Sequence, residues 1–444
     1  MFILAHLCEN KIDMLRRKII QTLEDWYASS DRKSLIIEGP QDIGKSFVLK
    51  SFAFQKYKQV VKLNFNQFPY MRRIFDTPMD VDAMILQIVM MVKGAACVPY
   101  ETLILMDEMD YCPEAYEAMK KLSHDRRYDC IGTVSRLAFF EPSDEVNSVR
   151  MHALDLEEFL WANNVSSDIL DQVHQAYVHN EQLNVDLHDQ MLNLFKTYLL
   201  VGGMPKAVIT YLGSYNMSEV RNVQKAIEES YKSKMLMHVL PKERERFLKL
   251  YSSIPEQIAK GNMRFMYKDM DEKATHRNYL RSILYIYRMG WAFVIYKLKN
   301  TNFPLVDNTR SENFIFMIRD VGCLSGQLNE ESIDRLSDLN LLQHNPYLIN
   351  GVADILVKRN IKLYYAEHGQ HDFLVAMVGE KRIGLSYESE KALRKMMRLV
   401  EQGLLDACYN LTTRPLMVDK IGIHLPLYHL MSIGKGTYEE IRWN

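Results

Sequence analysis

The chain lacks long apolar runs, a strong net charge and paired cysteines. No stretch of about 18 consecutive apolar residues occurs, which argues against a membrane-spanning helix. The formal net charge of the 444 residues is −1, so bulk charge does not indicate a nucleic-acid-binding protein, and any such contact requires a local basic patch. The fractions of 48% hydrophobic and 25% charged residues are typical of a soluble globular protein.

The cysteines are scattered along the chain and form no C-x-x-C pair; they are Cys8, Cys97, Cys112, Cys130, Cys323 and Cys408. This spacing favours free thiols in a reducing compartment over disulfides or zinc ligands. The apolar segment 1–7 is short and lacks a basic leader and a cleavage site, so we expect no signal peptide. Together these features predict a cytoplasmic protein, and the length suggests about three domains.

The clearest chemical pattern is G-x-x-x-x-G-K-S, which predicts a phosphate-binding loop, or Walker A motif. The predicted nucleotide-binding residues are Gly39, Pro40, Gln41, Asp42, Ile43, Gly44, Lys45, Ser46 and Phe47. In such a loop the backbone N–H groups face phosphate oxygens, Lys45 reaches the β- and γ-phosphates, and Ser46 holds Mg²⁺. The alternative is an ordinary Gly-rich turn that caps a helix. A β-prone run at 35–37 and a helical apolar pattern after the loop favour the phosphate site, with ATP and Mg²⁺ as cofactors.

A second pattern completes the predicted site, because four apolar residues at 103–106 are followed by Asp107 and Glu108. This is the expected Walker B strand. Asp107 is predicted to support Mg²⁺ beside Ser46, and Glu108 is predicted to activate water as a general base, with Lys45 as the other catalytic residue. The alternative is that the two acids begin a solvated turn, and the upstream phosphate loop argues against it.

Two further roles are predicted for residues that follow the neighbouring strands. Thr133 and Ser135 follow a strand-like segment and are candidates for sensing the γ-phosphate, although a hydroxyl there also suits a helix or turn cap. Arg136 and Arg150 are candidates for an arginine finger, and the sequence does not choose between them.

Hydrophobic patterning predicts an α/β domain up to about residue 160. Strands are expected at 35–38, 60–65, 102–106 and 129–133, with helices between them, including one at 81–92. This alternation predicts a parallel sheet covered by helices on both faces.

The rest of the chain is predicted to be mostly helical up to residue 296 and mixed after about residue 303. We expect a helix to begin at Pro205 and a helix break at 253–255. Further strands are expected at 361–365, 373–378 and 382–385.

The segment 276–299 is the strongest local candidate for contact with DNA. It contains no acidic residue, and Arg277, Arg281 and Arg288 fall near one face of a predicted helix, interleaved with aromatic residues. One interpretation is a phosphate-contacting helix of a winged-helix module. We favour the other, a packed helix with a solvated basic edge, because its apolar residues have the spacing of a core face.

Motifs placed in order along nearly the whole chain carry a family resemblance. They lie at 35–50, 103–110, 154–160, 202–208, 253–259, 303–305 and 314–324. With these stretches the chain resembles the prokaryotic AAA-type ATP-binding proteins that carry a C-terminal domain of unknown function.

The resemblance implies an AAA-type P-loop ATPase domain at 1–163, a helical lid at 164–236, a winged-helix-like segment at 237–302 and a restriction-endonuclease-like α/β domain at 303–444. It also implies Mg²⁺-dependent ATP hydrolysis coupled to conformational change, and a homo-oligomer or protein partner. Two other hypotheses stay open at this point: a nucleotide-controlled binding switch with negligible turnover, and an ATP-coupled nuclease.

The chain departs from the family's pattern in the nuclease-like domain. Ile349 stands where the family has the first acid, Asp372 matches the central acid, and 386–388 reads Ser-Tyr-Glu where active members have E-x-K. Because metal-dependent cleavage needs several carboxylates around the ion, we predict that this domain is not an active nuclease.

Overall fold

The computed structural model describes residues 15–78, 80–237, 239–261, 264–336, 345–368, 371–435 and 441–442. Cys8 and the segment 1–7, on which the expected absence of a signal peptide rests, lie outside these residues. The remaining cysteines are described, and all of them are free thiols, as predicted. No helix in the described part of the chain is both long enough and apolar enough to cross a bilayer.

Strands and helices alternate in the first third of the chain, helices dominate the middle, and the last third is mixed. The strands are β1 (Ser34–Glu38), β2 (Gln59–Asn64), β3 (Thr102–Asp107), β4 (Asp129–Val134), β5 (Val146–Arg150), β6 (Ala292–Leu298), β7 (Thr309–Ile318), β8 (Lys362–His368), β9 (His371–Val378), β10 (Lys381–Tyr387), β11 (Ala407–Thr412), β12 (Met417–Val418), β13 (Ile423–Pro426) and β14 (Ile441–Arg442). The helices are α1 (Ile19–Ala28), α2 (Lys45–Lys56), α3 (Val81–Met91), α4 (Ala115–Asp125), α5 (Leu156–Ala162), α6 (Ser167–His179), α7 (Val185–Val201), α8 (Pro205–Ser214), α9 (Met217–Met237), α10 (Arg244–Ala259), α11 (Tyr267–Met270), α12 (His276–Arg288), α13 (Val321–Gln327), α14 (Glu330–Leu336), α15 (Pro346–Lys358) and α16 (Glu390–Glu401).

The first sheet has the strand order β14-β5-β1-β4-β3-β2, in which β1 to β5 are parallel and β14 is antiparallel to β5. The predicted parallel α/β arrangement and its four predicted strands are thereby confirmed. Because β4 lies between β1 and β3, the carboxyl ends of three neighbouring strands meet at one edge of the sheet.

Helices cover both faces of this sheet because its strands are apolar on both sides. In β1, Leu35 and Ile37 belong to one buried hydrophobic cluster and Ile36 belongs to another. In β3, Leu105 and Met106 divide between the same two clusters. A strand buried on both faces is expected in a parallel sheet, since crossover helices cover each side.

The helical middle contains one confirmed and one wrong prediction. Helix α8 begins at Pro205, where proline's fixed φ and missing N–H are tolerated. The break expected at 253–255 does not occur, because α10 continues through Pro255. Both Ile254 and Pro255 are buried there, so tertiary packing offsets the roughly 3 kcal/mol cost of an interior proline.

The second sheet is mixed and has the strand order β12-β13-β11-β10-β9-β8-β6-β7. Strand β6 pairs antiparallel with β7 and parallel with β8, so it lies inside this sheet. Its hydrogen bonds to β7 therefore cross the domain boundary predicted between residues 302 and 303. The three strands predicted in the last third correspond to β8, β9 and β10.

A buried ionic network joins the middle of the chain to its last third. Asp320 is 2% exposed, and its Oδ2 accepts from the Gly203 N–H at 2.7 Å and from Lys358 Nζ at 2.8 Å. Lys358 also contacts Asp354 Oδ2 at 2.8 Å and the Tyr198 hydroxyl at 2.9 Å. Because three partners surround the ammonium group, its burial leaves no unpaired charge.

The backbone at Asp320 depends on the same network. Its φ is +73°, in the left-handed region that few non-glycine residues occupy. Its Oδ1 accepts the N–H groups of Gly322 and Cys323 at 3.1 and 3.3 Å, which caps α13. The carboxylate thus serves at once as a helix cap and as the ion partner of Lys358.

We expect Asp320→Asn to lower the free energy of unfolding by about 3–5 kcal/mol, the typical cost of breaking a buried ion pair. The exposed Asp307→Asn is the matched control, since it removes one carboxylate from the same region without touching the network. Urea denaturation checks this prediction. Equal stabilities of the two variants would show that the network contributes little.

A second buried acid, Glu228, predicts a pH dependence of stability. It is 2% exposed on α9 and accepts from the Tyr251 hydroxyl at 2.8 Å. Burial raises the pKa of Glu228 from 4.5 to about 7. A raised folded-state pKa means that the stabilisation is complete below the unfolded-state value and is lost as the pH rises through about 7.

Glu228→Gln is therefore expected to stabilise the protein at pH 8, by up to roughly 3 kcal/mol on the basis of the pKa difference, and to lose this advantage near pH 5. Urea denaturation at the two pH values measures the difference. Glu229→Gln, at the adjacent exposed position, controls for the loss of one charge. A Glu228→Gln advantage that is the same at both pH values would contradict the assignment.

Candidate nucleotide site

The predicted phosphate loop connects β1 to α2, and α2 begins at Lys45. A methyl group at Gly39 would lie 2.2 Å from the carbonyl oxygen of Met151, so the two backbones approach too closely for any side chain there. Gly44 has φ +94°, and glycine is the residue that adopts this conformation without strain. The local geometry therefore explains both glycines of the motif.

The loop borders a cavity of about 520 Å³, within the range of ligand-binding pockets. Predicted site residues that line it are Gln41, Asp42, Gly44, Lys45, Ser46, Phe47, Asp107, Glu108, Thr133 and Ser135. The sequence did not point to the other lining residues, which are Lys206, Ala226, Ile227, Ser230 and Lys234. These come from α8 and α9, so the cavity lies between the first sheet and the helical middle.

The two halves of the predicted site meet at Asp107. Ser46 Oγ and Thr133 Oγ1 each donate to Asp107 Oδ1 at 2.8 Å. These contacts span the strand order, since Ser46 follows β1, Thr133 lies on β4 and Asp107 ends β3. A hydroxyl and a carboxylate held this close are hard oxygen ligands of the kind that Mg²⁺ prefers, so the residues fit a magnesium site.

Lys62 is a contact of Asp107 that sequence reasoning missed. Its Nζ lies 2.8 Å from Asp107 Oδ2, which also accepts from Asn64 Nδ2 at 3.1 Å. Burial alone would raise the pKa of Asp107, but the hydrogen bond and charge of Lys62, with smaller contributions from Thr133 and Ser46, lower it below its usual value. Asp107 is therefore ionised, and its Oδ2 is paired with the ammonium group of Lys62.

Lys45 is folded back onto its own loop. Its Nζ donates to the carbonyl oxygens of Gly39 and Pro40 at 2.6 and 2.7 Å. The residue is 7% exposed, and burial lowers its pKa to about 8, against the opposing charges of Asp110 and Asp107. These contacts hold the ammonium group against the backbone at the start of the loop.

Glu108 lies where a water-activating base is expected, beside the cavity and next to Asp107. Its backbone has φ +59°, and its N–H donates to Thr133 Oγ1 at 3.0 Å. Burial raises the pKa of the Glu108 carboxyl, and a hydrogen bond with Asn66 opposes that rise. The neighbouring acid Asp110 is hydrogen-bonded to the backbone, since it accepts from the Ser135 N–H at 2.6 Å.

Neither of the two arginine-finger candidates lines the nucleotide cavity. Arg136 Nε donates to Asp110 Oδ1 at 3.0 Å, and its guanidinium lies 4.2 Å from the ring centroid of Phe139. Arg150 is exposed at the end of β5 and borders a different cavity. Among the described residues that line the nucleotide cavity there is no arginine.

Distant parts of the chain hold the loop from outside. The Tyr231 hydroxyl on α9 donates to the Gln41 carbonyl at 2.9 Å, and its ring stacks on Trp291 at 5.3 Å. Lys234 Nζ lies 3.2 Å from Asp42 Oδ2. The pattern of polar and apolar residues on α9 indicates which face of the helix packs inward. It does not indicate that this face contacts the phosphate loop.

The basic segment forms α12 and β6. Arg277, Arg281 and Arg288 are exposed on α12, whereas Tyr279 and Trp291 are buried. This arrangement agrees with the favoured interpretation, a packed helix with a solvated basic edge.

The nuclease-like positions of the last domain do not converge on a metal site in the part of the chain that the structure describes. Ile349 is buried on α15, and Glu388 accepts from Arg414 Nη2 at 3.1 Å. Asp372 belongs to β9, but its side chain lies outside the described residues. The absence of nuclease activity therefore stays a prediction.

Comparison with known proteins finds two family matches along the chain. Residues 31–160 match a family described as an AAA domain, and residues 192–334 match a domain of unknown function. No curated protein matches the chain. The first match covers the phosphate loop, Asp107 and Glu108, so this region is similar to AAA domains, and the geometry of its loop and strands agrees with a P-loop fold.

Solved structures with similarity to the chain include two archaeal proteins. The Walker-type ATPase PABY2304 of Pyrococcus abyssi is 12% identical, with a TM-score of 0.39 over 71% of this chain and 97% of its own. The ORC1 protein of Aeropyrum pernix, in a complex with DNA, is 11% identical, with a TM-score of 0.30 over 74% of this chain and 97% of its own. At these TM-scores the two similarities carry no argument about the arrangement or the function of this chain.

The Lys62–Asp107 contact predicts that Lys62 competes with Mg²⁺ for the same carboxylate. We expect Lys62→Met to lower the Mg²⁺ concentration needed for half-maximal ADP affinity roughly three- to tenfold, the effect of about 1 kcal/mol from a partly exposed ion pair. Binding of a fluorescent ADP analogue across a Mg²⁺ titration measures the midpoint.

Lys58→Met serves as the control, because Lys58 is more exposed and pairs with Glu101 outside the nucleotide cavity. If Lys62→Met and Lys58→Met have the same Mg²⁺ midpoint, Lys62 does not compete with the metal.

Proposed function

We propose that the protein binds ATP with Mg²⁺ and hydrolyses it at the cavity between the first sheet and the helical middle. The observation that carries the proposal is the hydrogen bond of 2.8 Å from Ser46 Oγ to Asp107 Oδ1. It joins the phosphate loop to the acid-terminated strand, 61 positions apart in sequence, in the relation that phosphoryl transfer requires.

Each residue then has a definite task. The backbone N–H groups of the loop 39–45 receive the phosphates, assisted by the N-terminus of α2. Lys45 leaves the carbonyl oxygens of its own loop and donates to the β- and γ-phosphates. Ser46 and Asp107 would hold Mg²⁺, which when bound neutralises charge on the phosphate oxygens.

Glu108 is the proposed general base. Its raised pKa makes the Glu108 carboxylate a stronger base than that of an ordinary glutamate. It therefore accepts a proton from water more readily. Thr133 receives the Glu108 N–H and donates to Asp107, so it fixes the two acids relative to each other. We propose this positioning task for Thr133 and γ-phosphate sensing for Ser135.

We propose that α8 and α9 form the lid of the site. Lys206 and Lys234 bring two positive charges to the cavity opposite the phosphate loop, and the Lys234–Asp42 pair already connects α9 to that loop. A phosphate chain placed in the cavity would draw both lysines inward, which couples nucleotide binding to movement of the helical middle.

Lys45→Ala is expected to lose nucleotide affinity, because the loop keeps its N–H groups but loses the cation that contacts the terminal phosphates. Glu108→Gln is expected to keep ATP bound while turnover falls about 10²–10⁴-fold, the usual contribution of a general base. Fluorescent-nucleotide binding and steady-state phosphate release measure the two effects.

The exposed Glu114→Gln, six positions further along the chain, is the control for loss of a carboxylate near the site. Wild-type turnover in Glu108→Gln would exclude Glu108 as the base. Undiminished nucleotide affinity in Lys45→Ala would exclude the proposed phosphate contact.

A second candidate function is a nucleotide-controlled switch with negligible turnover. It is favoured by the lack of an arginine among the described residues of the cavity and by the engagement of Arg136 with Asp110. Such a site would hold its nucleotide until a partner supplied the missing cation. ADP retained through purification, with no phosphate release at any protein concentration, would identify the switch.

A further inference from the structure

Helix α12 carries two neighbouring rows of exposed side chains, which together form its outer face. The first row is basic and consists of Arg277, Arg281 and Arg288. The second row is apolar and consists of Leu280 (39% exposed), Leu284 (43%) and Tyr287 (40%). Because 3.6 residues make one helical turn, the six positions fall within about one third of the helix circumference. The apolar row therefore runs directly beside the basic one.

The rest of α12 holds the outer face in a fixed geometry. Tyr279, Ile283 and Ile286 lie on the opposite side of the helix and are buried in the core. The Thr275 hydroxyl accepts from the Asn278 N–H at 3.4 Å and so caps the N-terminus of the helix. A packed and capped helix presents its exposed side chains at constant spacing, which reduces the ordering cost of binding a partner.

The charge of the outer face is not neutralised by the described part of the chain. None of its three arginines forms an ion pair with a described residue, and the segment 276–302 contains no acid. Arg246 of the adjoining helix α10 adds a fourth exposed cation, since its Nη1 donates to the Asn278 carbonyl at 3.4 Å. Glu245 of the same helix is paired with Lys249. The outer face is therefore both positive and apolar.

Two kinds of partner could neutralise these arginines, and the apolar row decides between them. Phosphates of a nucleic acid would pair with the arginines but would leave Leu280, Leu284 and Tyr287 without apolar contacts. Carboxylates of an acidic helix would pair with the same guanidinium groups, and the apolar residues of that helix would cover the leucines. Scattered exposed leucines need no explanation, whereas an ordered apolar row flanked by arginines suits a protein interface, where Arg and Tyr are enriched.

We propose that the outer face of α12 is a docking surface for an acidic amphipathic helix of another protein. The two helices lie side by side, with their apolar rows in contact and the carboxylates of the partner facing Arg277, Arg281 and Arg288. Burial of the Leu284 side chain, in the middle of the apolar row, supplies affinity. The ion pairs at the edge set the orientation of the partner and the rate of encounter.

The C-terminal end of α12 adjoins the nucleotide site. The Leu137 N–H donates to the Arg288 carbonyl at 2.6 Å, just beyond the strand β4 that carries Thr133. A Cβ atom at Gly290 would lie 2.6 Å from Cγ of Pro40, so the turn after α12 touches the phosphate loop. A partner docked on α12 is therefore placed to alter that loop. This consequence rests on the proposed function, whereas the docking of an acidic helix does not.

The experiment uses the full chain without nucleotide and a fluorescein-labelled designed peptide of about 20 residues, a length at which an isolated helix forms. The peptide carries leucines at positions i, i+4 and i+7 and glutamates on the adjoining side. Fluorescence anisotropy gives its Kd, and a peptide of the same composition in scrambled order is the reference. We expect the ordered peptide to bind at least about tenfold more tightly than the scrambled one.

Two substitutions test the two rows separately. Leu284→Ser is expected to weaken binding of the ordered peptide about tenfold, because an apolar contact is lost. Its control is Leu86→Ser, which removes an exposed leucine from α3. Arg281→Gln is expected to weaken binding about three- to tenfold, and less at high salt, because the lost ion pair is screened. Its control is Arg394→Gln, at an exposed position of α16.

A charge reversal separates docking from loss of structure. The double variant Arg277→Glu/Arg281→Glu is expected to prefer a peptide with lysines in place of the glutamates over the original peptide. Partial unfolding would weaken the binding of both peptides and would not reverse the preference.

Equal affinities for the ordered and the scrambled peptide, or equal effects of Leu284→Ser and Leu86→Ser, would overturn the proposal. Labelled DNA oligonucleotides are measured in the same assay. DNA binding tighter than that of the peptide, weakened by Arg281→Gln and unchanged in Leu284→Ser, would identify a nucleic-acid surface instead. Self-association of the chain that Leu284→Ser abolishes, measured by sedimentation, would identify a second copy as the occupant. None of these outcomes depends on whether the chain hydrolyses ATP.

Discussion

The carboxylate of Asp320 is the constraint on which the arrangement of this molecule depends. It binds the Gly203 N–H just before α8, caps α13 and neutralises Lys358 at the end of α15. The Tyr198 hydroxyl extends the network to the first domain, since it donates to the Leu154 carbonyl at 3.0 Å. One buried acid therefore fixes three helices relative to the parallel sheet, and removing its charge would leave Lys358 buried with an incomplete set of partners.

The same constraint positions the nucleotide cavity. Helix α8 begins at Pro205, two positions after Gly203, so the contact of Gly203 with Asp320 helps to position Lys206 at the cavity. A Cβ atom at Gly203 would lie 1.9 Å from the carbonyl oxygen of Leu154, so only glycine lets the two backbones pack this closely, and the Leu154 N–H donates to the Gly203 carbonyl at 2.7 Å. The cavity is thus bounded on one side by the carboxyl edge of the first sheet. On the other side lie helices whose position depends on contacts between residues far apart in sequence, such as Asp320 and Gly203.

The sequence predicted what local chemistry determines. Apolar strands that alternate with helices, together with the G-x-x-x-x-G-K-S pattern, were sufficient to predict β1 and β3 in one parallel sheet. They also placed the residues from Gln41 to Phe47 at one edge of that sheet. Contacts that depend on the tertiary fold were missed. Nothing in the neighbourhood of Lys62 indicates that it contacts Asp107, and nothing near Lys234 indicates that it lines the cavity. Pro255 suggested a helix end that packing overrides. The positions of the arginine-finger candidates likewise follow from the fold rather than from their distance along the chain.

The support of the phosphate loop by Tyr231 has a consequence for biosynthesis. The hydroxyl reaches the Gln41 carbonyl across 190 positions of sequence, and Pro40 packs against Gly290, which comes later still. A ribosome releases the motif long before it releases these partners, and domains fold as their chain emerges. The nascent first domain would therefore carry the complete nucleotide motif while its loop still lacked outer support. The loop would then gain its full set of outer contacts only after residue 290 has been synthesised.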